Sequence, residues 1–125
     1  MTPPPTDRPD PAVLVLDRIP GRGEASDLIG AALEAGARWV ALKAAGLPPG
    51  FLVLSTGQAG EFAQKCVNYR IGLAILGDIG PALATSSALR DWVRECNRGD
   101  HVWFLNDEAE LAARLSQRSS GSEQE

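Results

Sequence analysis

The chain has 125 residues, of which 44% are hydrophobic and 22% charged, so it is long enough for one hydrophobic core and too short for two. Its formal net charge of −4 argues against a general nucleic-acid binder, which needs a concentrated basic face. No apolar run approaches the roughly 20 residues of a membrane-spanning helix, and the N-terminus does not resemble a signal peptide. We therefore expect a cytoplasmic protein that has neither nucleic acid nor membrane as a partner.

The two ends of the chain differ from its centre in composition. Residues 1–11 contain five prolines among polar residues, and residues 116–125 are mainly Ser, Gln, Gly and Glu. Such segments cannot bury enough apolar surface to offset the entropy of ordering. The sequence thus predicts a Pro-rich disordered tail over 1–11, a single folded domain over 12–115, and a second disordered tail over 116–125.

The first half of this domain alternates between strand and helix patterns. Residues 12–16 are predicted as a strand, and the apolar spacing that follows indicates a helix ended by Gly36. Residues 39–42 form a second predicted strand. Residues 47–50 must be a loop, because their two prolines lack the N–H groups that a sheet requires.

The second half continues the alternation. A short extended piece over 51–54 leads into a second helix, on which Phe62 and its neighbours form one apolar stripe. Residues 71–76 are apolar without alternation, which is typical of a central parallel strand. A third helix over about 87–97, a strand over 102–105 and a fourth helix from Asp107 complete the order. This order predicts a small α/β open sheet of four or five mostly parallel strands with about four helices.

Two hydroxyl residues at the start of the second helix give the strongest functional signal. Ser55 and Thr56 precede Gly57 where free backbone N–H groups and the positive helix end should face solvent. Asp78 follows the apolar strand, and the C-terminal end of a parallel strand lies on the same edge as the next helix start. We therefore expect Ser55, Thr56, Gly57 and Asp78 to form a binding or regulatory site.

A structural role for one hydroxyl is equally consistent with the pattern. Ser55 and Gln58 fit a capping box, so that one hydroxyl would cap the helix and the other remain exposed. A nucleophilic hydroxyl would need a neighbouring base. The one histidine of the sequence, His101, should begin the last strand at the opposite edge, which argues against a Ser–His pair.

Other polar residues near the helix ends are weaker candidates, since capping explains most of them. Asn68 and Tyr69 end the second helix, and Glu95, Asn97 and Arg98 end the third. Cys66 and Cys96 occupy apolar helix positions and are expected to be buried thiols. There is no metal-ligand spacing and no phosphate-binding glycine loop, so we expect neither a metal nor a cofactor.

Several short motifs between about residue 13 and residue 115 occur in a characteristic order. They are Thr56-Gly57, Ala59-Gly60, Gln64-Lys65, Asn68-Tyr69, Gly77-Asp78, Ser87-Ala88-Leu89, Glu95, Asn97-Arg98-Gly99 and Val102-Trp103-Phe104. In these motifs the chain resembles a bacterial family known as domain of unknown function 4180. The resemblance implies no activity, but it favours Thr56 over Ser55, which is often a basic residue in that family.

The turn before the second helix is also similar, more distantly, to that of STAS domains (sulphate transporter and anti-sigma factor antagonist). In those domains an Asp-Ser-Ser-Gly turn opens a helix after a strand, and here Leu54 to Gly57 lie in that place. The resemblance implies that Thr56 occupies the position of the hydroxyl that a partner kinase phosphorylates. Leu54 replaces the acidic residue of that turn.

Three functional hypotheses follow. The leading one is a STAS-like cytoplasmic binding or regulatory module that engages a protein or a small ligand at Thr56. The alternative is a small enzyme of secondary metabolism that uses Asp78 or Glu95 as an acid or base. A third is a homodimer with Trp92 or Trp103 at its interface.

Overall fold

A computed structural model describes residues 13–22 and 24–123, with side chains up to Gln117. The described chain is an α/β fold of four strands and five helices. Two 3₁₀ turns, at Ala44–Gly46 and Leu54–Thr56, flank the loop after the second strand. The strands are β1 (Val13–Leu16), β2 (Trp39–Lys43), β3 (Gly72–Leu76) and β4 (Val102–Leu105), and the helices are α1 (Ala25–Ala35), α2 (Gln58–Asn68), α3 (Gly80–Ala84), α4 (Ser87–Arg98) and α5 (Glu108–Glu123).

The four strands form one parallel sheet in the order β1-β2-β3-β4, which confirms the predicted fold class. Val13 is level with Trp39, Trp39 with Gly72, and Leu73 with Val102. Because neighbouring strands are parallel, the helices must carry the chain back between them. The C-terminal ends of the strands therefore share one edge of the sheet with the N-termini of the helices that follow.

Helices cover both faces of the sheet, but unequally. On one face α1, α2 and the apolar side of α4 pack on Val40, Leu42, Leu73 and Ile75. On the other face Leu111 and Leu115 of α5 pack on a second cluster that contains Trp39, Ala41, Ala74, Leu76 and Trp103. Phe62, on the predicted apolar stripe of α2, is buried in the first cluster, whereas Leu76, at the end of the apolar run of β3, is buried on the α5 face.

Three details differ from the sequence analysis. Residues 51–54, predicted as a short extended piece, instead lie in short hydrogen-bonded turns, among them one from the Phe51 N–H to the Pro48 carbonyl. The helix α3 was missed, although Pro81 in its first turn is a helix-start signal. The backbone of α5 continues to Glu123, through part of the predicted second tail.

Two further expectations concern the chain ends and the tryptophans. The predicted tail over 1–11 lies outside the described residues. Trp103 is buried within the chain at 1% exposure, so it is not available for an interface with another copy, whereas Trp92 is partly buried against Phe104. Within residues 13–22 and 24–123, no helix combines the length and apolarity needed to cross a membrane.

Candidate functional site

The segment that follows β2 borders an open cavity of about 580 Å³ at the C-terminal edge of the sheet. We call it the loop cavity. Its far wall is formed by α3 and the start of α4, and none of its lining residues carries a charge. These residues are Ala44, Leu47, Pro48, Gly50, Phe51, Leu52, Val53, Leu54, Ser55, Ala82, Thr85, Ser86 and Ala88.

The Thr56 hydroxyl holds this segment in shape. Its Oγ1 lies 2.8 Å from the Val53 carbonyl oxygen and 3.0 Å from that of Gly50, and it accepts a hydrogen bond from the Gln58 N–H at 3.2 Å. The Thr56 hydroxyl thus links the two ends of the loop by hydrogen bonds, and it also accepts a hydrogen bond from the first backbone N–H of α2. These contacts give Thr56 a structural role, although the residue is exposed.

Ser55 is placed differently from its neighbour. It lines the loop cavity, and its hydroxyl makes no hydrogen bond to any residue that the structure describes. The predicted capping box between Ser55 and Gln58 is wrong, because α2 begins at Gln58, two residues later than that motif requires. Gly57 is its N-cap, with a φ of 78° that glycine adopts readily. The free hydroxyl at this edge is therefore that of Ser55.

Asp78 lies at the same edge of the sheet but in a second cavity, of about 290 Å³. Its Oδ1 accepts a hydrogen bond from the Gly80 N–H at 2.8 Å, which shapes the turn before α3. The short helix α3 separates the two cavities, since Ala82 lines the loop cavity and Leu83 the second one. Ser55 and Asp78 thus share an edge but line different cavities.

Asn97 has a structural role that the sequence analysis did not specify. Its Oδ1 accepts from the Phe104 N–H at 2.7 Å, and its Nδ2 donates to the Phe104 carbonyl at 3.4 Å. Both Phe104 groups point away from β3, because the neighbouring residue Leu105 is the one that bonds to Gly77. The Asn97 amide therefore occupies the outer edge of β4 in the way that another strand would.

The remaining candidates are scattered over the surface. Asn68 accepts a hydrogen bond from Gln64 on the exposed side of α2, and Tyr69 is 53% exposed at the end of that helix. Glu95 and Arg98 are exposed on α4 and line neither the loop cavity nor the second cavity. The structure therefore does not bring Asp78 and Glu95 together in either cavity.

The two cysteines and His101 lie outside the loop cavity. Burial raises the pKa of the Cys66 thiol to about 12, and burial together with the nearby Glu95 carboxylate raises the pKa of Cys96 to about 11. Both thiols are therefore protonated and unreactive at neutral pH. His101 lies just before β4, at the opposite edge from Ser55. Across residues 13–22 and 24–123, no group of three or more His, Cys, Asp or Glu side chains is arranged to hold a metal ion.

The far wall of the loop cavity was missed by sequence reasoning. Thr85 donates a hydrogen bond to the Ala82 carbonyl, and Ser86 caps α4 by accepting from the Leu89 N–H at 3.0 Å. The available signal was Pro81, which marks a helix start, followed by Ser86 as a cap. Recognising both would have placed a short helix opposite the Ser55 segment.

Comparisons with known proteins add a family but no activity. No curated protein and no solved structure matches the chain. The family model described as domain of unknown function (DUF4180) matches residues 16–115, which include β2, β3, β4 and the last residue of β1, and the chain therefore belongs to this family.

Proposed function

We propose that this domain is a binding module that holds a small, uncharged and mostly apolar ligand in the loop cavity. The observation that carries the proposal is the lining of that cavity, which is without charged side chains and includes the free hydroxyl of Ser55. Burial of a charged ligand there would be costly, because no opposite charge lines the cavity. An apolar ligand with one hydrogen-bonding group would pack against the apolar walls and form a hydrogen bond with the Ser55 hydroxyl.

The size and position of the cavity support this proposal. About 580 Å³ falls within the range of small-molecule sites, which is roughly 300–1,000 Å³. In open α/β sheets, ligands bind beyond the C-terminal ends of the strands, and the loop cavity occupies that edge. Phe51 closes its base at 3% exposure and packs edge-on against Phe62, which gives the ligand a firm apolar wall.

The residues that line the loop cavity favour a role in ligand binding over a role in catalysis. A general acid or base must reach the reacting atom directly or through one water, and no titratable side chain lines the loop cavity. Asp78 is the carboxylate of the neighbouring cavity, where one of its oxygens already accepts from Gly80. Catalysis by Asp78 would need a substrate on the other side of α3.

The STAS-like regulatory form of the hypothesis, with a protein partner at Thr56, receives less support. Phosphorylation of Thr56 would first have to release its hydroxyl from the Gly50 and Val53 carbonyls, and so loosen the loop. Ser55 has no such hydrogen bonds to the described residues. We further propose a cytoplasmic setting, which agrees with two free cysteines in the described chain.

The proposal is tested by filling the cavity. Ala82→Leu adds bulk to the wall that α3 provides, and we expect it to weaken the binding of neutral apolar fragments by at least about tenfold, measured by ligand-observed NMR on the full chain. Ala84→Leu is the matched control, since Ala84 lies on the same helix, is exposed and lines neither cavity. Ser55→Ala should weaken fragments with a hydrogen-bonding group by about 2- to 13-fold.

The competing readings give different results. Equal loss with Ala82→Leu and Ala84→Leu would contradict the placement of the ligand. Preferential binding of charged fragments would contradict the proposed ligand class. A turnover that Asp78→Asn abolishes while Ser55→Ala leaves it intact would support the enzyme alternative instead.

A further inference from the structure

The second cavity, beside Asp78, differs from the loop cavity in the charge of its walls. Its volume is about 290 Å³, and Asp78 is the one charged residue among those that line it. The remaining lining residues are apolar side chains, two glycines and two asparagines. The apolar ones are Ile79, Leu83, Val93, Phe104 and Leu105. A single carboxylate among uncharged walls attracts a positively charged group.

One oxygen of the Asp78 carboxylate has no partner in the described chain. Its Oδ1 accepts from the Gly80 N–H, whereas no described residue donates to Oδ2. Asp78 also forms no salt bridge with a described residue, since Lys43, at the end of the neighbouring strand β2, is paired with Glu108. Because the Gly80 hydrogen bond already holds the carboxylate, Oδ2 can accept from a ligand at little further cost in side-chain entropy.

Neighbouring carboxylates make this region negative. Asn106, which lines the cavity, donates to both oxygens of Glu110, from its N–H at 2.9 Å and from its Nδ2 at 3.1 Å. Asp107 accepts from the Glu110 N–H in the same turn. The Arg90 guanidinium donates to a carbonyl of α3 without lining the cavity. Asp107 and Glu110 thus add to the charge of Asp78 and outweigh that of Arg90, which favours a cation over an anion.

The apolar wall of the second cavity is held in place by α4 and β4. Asn97 fixes the Phe104 backbone through two hydrogen bonds, and the Phe104 ring packs edge-on against Trp92 with centroids 5.7 Å apart. Val93, one helical turn before Asn97, lines the cavity as well. A wall that is formed before the ligand arrives lowers the cost of binding an apolar group.

We infer that the second cavity binds a small organic ammonium ion. The protonated nitrogen donates to Oδ2 of Asp78, and the apolar part of the ligand packs on Val93 and Phe104. The cavity is close to the lower limit of small-molecule sites, roughly 300 Å³, so the ligand is compact and we expect a Kd of millimolar order. A metal ion is disfavoured, because it needs several ligands and no group of three or more His, Cys, Asp or Glu among the described residues could hold one.

The test compares two probes of nearly equal shape and different charge, phenethylamine, which is protonated at neutral pH, and phenethyl alcohol, which is neutral. In an amide chemical-shift titration of the full chain, phenethylamine should shift residues 77–80 and Asn106, and phenethyl alcohol should leave them unchanged. Equal shifts by both probes at these amides would contradict the role of charge. Binding of phenethyl alcohol to the loop cavity is followed separately, at residues 50–55 and 82–88, so the two proposals fail independently.

A charge-removing variant tests the role of Asp78 itself. Asp78→Asn keeps an oxygen that can accept from the Gly80 N–H, so the turn before α3 should be preserved. It should raise the Kd of phenethylamine by about tenfold or more, because a hydrogen bond to a charged group is lost.

Glu95→Gln is the matched control, since Glu95 is exposed on α4 and lines neither cavity. It removes the same charge from the chain and should change the Kd by less than about twofold. Equal weakening by the two substitutions would show a general attraction of amines to an acidic protein, and unchanged binding in Asp78→Asn would place the amine elsewhere. Either result would overturn the inference.

Discussion

Two glycines differ in how much space their surroundings leave for a side chain. Gly72 in β3 lies under the Trp39 indole, and a Cβ built on it would come within 2.3 Å of two ring atoms. Trp39 cannot easily move, because its ring stacks on Trp103 with centroids 4.3 Å apart. Gly30 has open space at the same point. The same glycine-to-alanine change should therefore have opposite effects at the two positions.

Gly72→Ala should lower the free energy of unfolding by about 1–3 kcal/mol through overpacking. Gly30→Ala should raise it by about 0.5–1 kcal/mol, because alanine is the better helix former. Urea unfolding of the purified chain measures both changes. A neutral Gly72→Ala would show that the two tryptophans are free to move apart.

At the scale of elements, the outer strand β4 is protected by a side chain of α4. Asn97 pairs with both outward backbone groups of Phe104. Its own carbonyl accepts from Arg114, which also lies 4.2 Å from the Trp103 ring centre. Trp103 in turn donates to the Gly99 carbonyl at 2.7 Å. The end of α4, β4 and α5 are thereby joined through one polar network.

Asn97→Leu should lower the free energy of unfolding by about 1–3 kcal/mol, because it leaves the Phe104 N–H and carbonyl without their partners. Hydrogen exchange of the Phe104 amide should become faster. Asn68→Leu is the control on exposed helix surface, where a change within about 0.5 kcal/mol is expected. Unchanged exchange at Phe104 in Asn97→Leu would show that another group protects this edge.

Elements with long apolar patterns could be predicted from the sequence, and those defined by turns could not. The unbroken apolar run that ends at Leu76 indicated a central parallel strand, and β3 confirms it. The five-residue helix α3 is too short to show a periodicity, so the wall of the loop cavity was missed. Likewise, adjacent hydroxyls look alike in sequence, but the carbonyls that distinguish Thr56 from Ser55 come from the fold of the loop.

At the scale of the whole molecule, the parallel sheet places two candidate ligand cavities at one of its edges. Both the loop cavity and the cavity beside Asp78 lie beyond the C-terminal ends of the strands, on opposite sides of α3. The first is lined without charge, and the second contains a carboxylate. We therefore expect the charge of a ligand to decide which of the two cavities it binds. Which cavity is occupied is the central question about this protein.

The most direct measurement is an amide chemical-shift titration of the full chain with neutral and with cationic fragments. We predict that neutral apolar fragments shift the amide signals of residues 50–55 and 82–88, which surround the loop cavity. Those shifts should disappear in Ala82→Leu and persist in Ala84→Leu. Shifts confined to residues 77–80 and Asn106, around Asp78, or saturating shifts with cationic fragments alone, would contradict the proposed ligand class and its site.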